Sequence, residues 1–121
     1  MRKFSSGLIA LAAIAMPRVE AASAGPDLER GFAQTVRPFL STYCIGCHGG
    51  SSPAAHFDLS AYSSAGAVIR DFGQWDRVLD RLSNEQMPPK GVKQPPAPDR
   101  QKVVAWIQAM RMGEARKNAG D

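Results

Sequence analysis

Three stretches of this chain repeat their hydrophobic residues with helical spacing. In "PDLERGFAQTVRPFLSTYC", Leu28, Phe32, Val36, Leu40 and Tyr43 recur at three- and four-residue steps, which marks one face of a helix. Asp27 is placed to cap it. Pro38 predicts a bend or a restart, because proline donates no N–H and its ring crowds the preceding turn. Either way the helix is expected to run into Cys44. In "FGQWDRVLDRLSN", Trp75, Val78, Leu79 and Leu82 sit at i, i+3, i+4 and i+7, with charges on the other side. In "APDRQKVVAWIQAMRMGEAR", Val103, Trp106, Ile107 and Met110 form a third buried stripe. Pro98 suits the first helical position there, and Asp99 suits the positive end of the helix dipole.

The segments between are small or polar. "GGSSPAAHFD", Gly49 to Asp58, reads as a loop. "LSAYSSAGAVIR" predicts a short helix over its second half. "EQMPPKGVKQPPAP" holds five of the nine prolines and can be neither a regular helix nor an interior strand. Such a loop is stiff before folding, so it loses less entropy when it docks. "KNAGD" reads as a disordered tail or as the cut end of something longer. The pattern predicts an all-α domain of about four short helices, without internal repeats.

The start of the chain differs. "MRK", the apolar run "GLIALAAIAM" and the small residues Ala22, Ser23 and Ala24 follow the order of a secretory signal peptide, residues 1–24. The run is about half the length of a bilayer-spanning helix. An uncleaved anchor is the alternative, and Pro17, Arg18 and Glu20 favour removal. No later segment is apolar enough to cross a membrane. The expected organisation is therefore a signal peptide, one domain over residues 25–117, and a tail over 118–121, exported to a bacterial periplasm. Losing Arg2, Lys3, Arg18 and Glu20 leaves 12 basic and 10 acidic side chains of the original 15 and 11. The basic balance thus comes partly from the leader. With no Lys/Arg stripe interleaved with aromatics, a nucleic-acid partner is not expected.

Both cysteines and one of the two histidines fall within "CIGCH", Cys44 to His48. Export permits a disulfide, yet Cys44 and Cys47 would close a loop too short to stabilise much. A thioredoxin-like pair follows a strand, and no strand pattern precedes Cys44. A zinc site needs four ligands, which Cys44, Cys47, His48 and His56 would supply, although adjacent Cys47 and His48 converge poorly on one tetrahedral centre. The third chemistry is covalent haem, written C-x-x-C-H. Cysteines at i and i+3 project from one side of a helical turn and can add to two vinyl groups, which holds the next residue, His48, under the iron. The expected cofactor is a single haem c.

The sixth ligand decides function. Met110 lies on an apolar stripe, and Met112 points largely away from it. Met87 stands apart in the proline loop, followed by Pro88 and Pro89, where a rigid segment can deliver a thioether to a fixed point. His56 is the rival. Phe39, Leu40, Trp75, Leu79, Leu82, Pro88, Trp106 and Ile107 are expected to surround the haem. Trp75 and Trp106 each read either as donors to a haem propionate or as core alone. Arg77, Arg81, Lys90 and Lys93 read as a steering ring for an acidic redox partner or as solvated surface.

"FAQTVRPFLSTYCIGCHGG", "DFGQWDRVLDRLSNEQMPPKG" and "VVAWIQAM" together resemble class I c-type cytochromes, and more closely the cytochrome c-like domain of large planctomycete- and acidobacterial-type exported proteins. The resemblance implies a small all-helical fold around one haem c. It also implies thioethers at Cys44 and Cys47, His48 and Met87 as axial pair, and a first helix that crosses the last. Its expected role is one-electron transfer as a carrier rather than an enzyme, with a redox protein as partner and a monomeric domain. A haem enzyme or gas sensor with a displaceable sixth ligand is the alternative. In that family further domains usually follow, so this chain is expected to be either a free-standing cytochrome or the front of a longer product that feeds electrons to an enzyme.

Overall fold

Proline at the second position of a helix costs nothing, because the first amides have no intrahelical acceptor, and this chain uses that freedom at several helix starts. The structure, a computed structural model, describes residues 10–16 and 25–120. The expected signal peptide lies mostly outside the described residues, and 10–16 form no regular element. Helix α1 (Pro26–Gly31) opens on proline with Gly25 as N-cap. Asp27, expected as the cap, lies instead in the first turn and pairs with Arg30 at 3.2 Å. Both are exposed, so the pair contributes little, although the carboxylate still complements the helix dipole.

Pro38 marks a restart, as expected. A π-helical turn (Phe32–Val36) joins α1 to α2 (Arg37–Tyr43), and the Arg37 N–H reaches back five residues to the Phe32 carbonyl. The wider turn makes room for the proline ring, which then sits in the first turn of α2. Phe32, Val36, Phe39 and Leu40 consequently all face the core.

Two 3₁₀ turns (Ala54–His56 and Leu59–Ala61) lead into α3 (Ala65–Arg70). Ser64 caps α3 through a 3.1 Å bond from the Ala67 N–H. Glu29 of α1 accepts from the Ala65 and Gly66 amides, each at 3.1 Å. One carboxylate thus satisfies two orphan donors and ties the first helix to the third. Helix α4 (Phe72–Ser83) buries Trp75, Leu79 and Leu82, and α5 (Ala97–Ala119) buries Arg100, Val103, Trp106, Ile107 and Met110.

The described residues form five α-helices, consistent with the expected all-α domain, and no strand is found among them. The helices are not all short, since α5 runs 23 residues. It includes Lys117, Asn118 and Ala119, which the sequence pattern assigns to a disordered tail. Glu114, Ala115, Arg116 and Lys117 are good helix formers, and Lys117 pairs with Glu114 at 3.3 Å, so the helix continues after its buried stripe ends. No helix among the described residues is long and apolar enough to cross a membrane.

Helices α1 and α5 cross at Gly31, where a Cβ would lie 2.7 Å from Cδ1 of Trp106. The Trp106 ring packs against Phe32 with centroids 5.8 Å apart and against Trp75 at 6.4 Å. Its Nε1–H donates to the Leu28 carbonyl at 3.0 Å.

Candidate functional site

The C-terminus of α2 delivers the two cysteines and the histidine in one turn. The Cys47 and His48 amides both donate to the Cys44 carbonyl, at 3.2 and 2.8 Å. That brings Cys44, Cys47 and His48 together within a single turn, as their spacing predicts. The thiols form no disulfide, and Cys44 is half-buried while Cys47 is exposed. Burial pushes the Cys44 thiol up to about 11, against the opposing charge of Arg100. Gly49 lets the chain leave this turn tightly: a Cβ there would meet the Ile45 carbonyl oxygen at 2.8 Å.

His48 is fixed from two sides by the returning loop. Its carbonyl accepts from the Leu59 N–H at 2.8 Å, and its ring Nδ1 lies 3.1 Å from the Phe57 carbonyl. A carbonyl only accepts, so Nδ1 carries the proton and Nε2 is left with its lone pair. Phe57 also meets the imidazole edge-on at 6.0 Å. This is the arrangement that orients a metal-binding histidine, in which a backbone acceptor sets tautomer and ring angle.

His56 does not join this group. It sits in an exposed 3₁₀ turn at φ 54°. Among the described residues no three His, Cys, Asp or Glu side chains lie close enough to hold a metal ion, so the quartet of Cys44, Cys47, His48 and His56 is not assembled. Among the described residues no strand precedes Cys44, so a thioredoxin-like pair has no scaffold there.

Met87 lies in the loop after α4 and is 38% exposed, next to buried Pro88. The loop folds back toward the α2 terminus, and Nζ of Lys93 stands 5.8 Å above the Tyr43 ring. The Met87 carbonyl accepts from Arg100 at 2.7 Å, and the same guanidinium acts on Cys44. Arg100 was not among the residues singled out by motif. The signal is its phase: it stands three residues before Val103 on the buried stripe of α5.

The expected pocket residues Phe39, Leu40, Trp75, Leu79, Leu82, Trp106 and Ile107 join one buried cluster, with Cys44 and Tyr43 packed against it. The two tryptophans differ. Trp106 spends its N–H on the Leu28 carbonyl at 3.0 Å. Trp75 is fully buried; its Nε1 makes no hydrogen bond of good geometry, and the Tyr62 hydroxyl beside it is at most a weak acceptor. An acceptor carried by a bound group would satisfy it. The orphan indole, the oriented His48 and the paired thiols all fit a covalently held acidic porphyrin. Arg77 and Arg81 share their face of α4 with Asp76 and Asp80, so that surface is mixed in charge rather than a cationic ring.

Residues 44–91 match the family described as Planctomycete cytochrome C. The match begins at Cys44 and takes in the His48 turn, α4 and the Met87 loop. The match supports a cytochrome c-like domain, and the described residues are all-α in fold. The family implies haem c and a role in electron transfer. No curated protein and no solved structure matches the chain.

Proposed function

We propose that this chain carries one haem c, joined through thioethers at Cys44 and Cys47, with His48 and Met87 as axial ligands, and that after export to the periplasm it passes single electrons between protein partners. The observation that carries this reading is the 3.1 Å contact from Nδ1 of His48 to the Phe57 carbonyl, which presents a bare Nε2 beside two free thiols. The haem would supply a one-electron couple whose potential follows its axial ligands and surroundings. The residues supply the rest. His48 donates a nitrogen whose direction is fixed before metal arrives, so little reorganises around it. Met87 offers a soft sulfur that favours ferrous iron. The cluster around Leu79, Leu82 and Phe39 keeps water away and penalises the more charged ferric state.

Trp75 is the residue we assign to a propionate, since its N–H is unpartnered within the core. Lys90 and Lys93, on the Met87 loop, are the candidates for steering an acidic partner; α4, with its mixed charge, is not. The domain is taken to act as a monomer without nucleic acid, as a carrier and not an enzyme.

The test is expression with a haem-attachment system. The expected product is coloured, shows a thioether-bound haem in alkaline pyridine and has a far-red ferric band from sulfur on iron. A colourless product overturns the reading.

A further inference from the structure

One charged residue rides in phase with the apolar stripe of α5. Arg100 is only 8% exposed. Its Nη1 donates to the Met87 carbonyl at 2.7 Å and to the Leu82 carbonyl at 3.2 Å, and Nη2 donates to Oε1 of Gln94 at 3.1 Å. Gln94 extends the grip: its Nε2 donates to the carbonyls of Pro88 at 3.2 Å, Pro89 at 3.0 Å and Val92 at 3.2 Å. Five carbonyls between Leu82 and Val92 therefore accept from two side chains. A loop this rich in proline has few amides with which to satisfy its own carbonyls, so side chains supply the donors.

The guanidinium also lacks a counter-charge. Among the described residues the ion pairs involve Arg30, Arg111 and Lys117, and none involves Arg100. A buried unpaired cation is costly, and here carbonyl and amide dipoles alone offset it.

Resting on the haem reading above, we propose that Arg100, with Gln94 as its extension, is the positioning residue that keeps Met87 on the iron, and that its fixed charge favours the ferrous state. The two effects separate by chemistry. The planar fork holds the loop through several donors in fixed directions, which a lysine ammonium cannot reproduce. The charge acts through space and survives replacement by lysine.

The experiment uses matured protein whose attached haem has been verified in alkaline pyridine. Three quantities are read: the affinity of the ferric form for added imidazole, the far-red sulfur–iron band, and the reduction potential. Arg100→Gln is expected to bind imidazole about 10- to 100-fold more tightly, as expected from losing charge-assisted bonds to the loop. It also weakens the band and lowers the potential. Arg100→Lys shows a similar gain for imidazole with a potential closer to the unmodified protein. Gln94→Ala gives a gain of up to about tenfold, since neutral bonds are weaker. Val68→Ala, in the core at α3, lowers the thermal midpoint but moves none of the three.

Unmodified imidazole affinity in both Arg100→Lys and Gln94→Ala overturns the positioning role, even if Arg100→Gln fails to mature. Equal falls in potential for the Lys and Gln variants overturn the charge effect. Failure of the unmodified chain to take up haem sinks the earlier reading instead.

Discussion

Gly31→Ala is expected to destabilise the domain even though alanine is the better helix former. Gly31 stands where α1 meets α5, and the added methyl would lie 2.7 Å from Cδ1 and 2.9 Å from Nε1 of Trp106. The indole has little room to retreat. It is wedged against Phe32 and Trp75 and anchored to the Leu28 carbonyl at 3.0 Å. Overpacking of this kind costs about 1–3 kcal/mol. If the ring swings away, the Leu28 bond goes with it, adding about 1 kcal/mol. Replacing a helical glycine returns about 1 kcal/mol. The net expectation is a loss of about 1–3 kcal/mol. For a domain of this size, each kcal/mol moves the thermal midpoint by about 4–8 °C. The assay is thermal unfolding of the haem-bearing protein, followed by helical circular dichroism. Gly113→Ala in α5 is the internal comparison: nothing lies within 4 Å of its added Cβ, so only the helical gain of about 1 kcal/mol remains. A Gly31→Ala midpoint equal to or above the parent would refute the reasoning, because the crossing would then have slack that the packing denies.

Cys44→Ser with Cys47→Ser is expected to leave a largely unfolded, haem-free product, because α1 to α4 run only 6 to 12 residues and are marginal without packing. A cooperative thermal transition and native-like circular dichroism from that variant would count against it. The ferrous unmodified protein should refuse carbon monoxide, and Met87→Ala should bind it; rapid binding by the parent would point to a displaceable sixth ligand. Burial, aided by the hydrogen bond that Tyr62 donates to Asp71, pushes the Tyr62 hydroxyl up to about 12. The unfolded chain releases that proton near its ordinary value of about 10 while the folded one keeps it. The contribution is therefore whole below pH 10 and lost as pH rises toward 12. In urea titrations across that window, the stability difference between the parent and Tyr62→Phe should shrink, and a constant difference would contradict the assignment.

The helix faces and the attachment turn were legible from the chain because both are short-range. Trp75, Leu79 and Leu82, and Val103, Trp106, Ile107 and Met110, declare themselves by the helical period, and each is buried. Cys44 to His48 need only one turn to be brought together. Pro38 announced a disturbance, but the π-helical turn that absorbs it is one of several local solutions that sequence leaves open. What the tertiary structure alone decided is where polar atoms find their partners. Glu29 closes the start of α3, 36 and 37 residues away, and Trp106 binds a carbonyl 78 residues away. The Phe57 oxygen that orients His48 and the guanidinium that holds Met87 belong to the same class. Apolar periodicity follows from the geometry of one element, whereas a hydrogen bond across the fold depends on how distant elements dock, which no local spacing encodes.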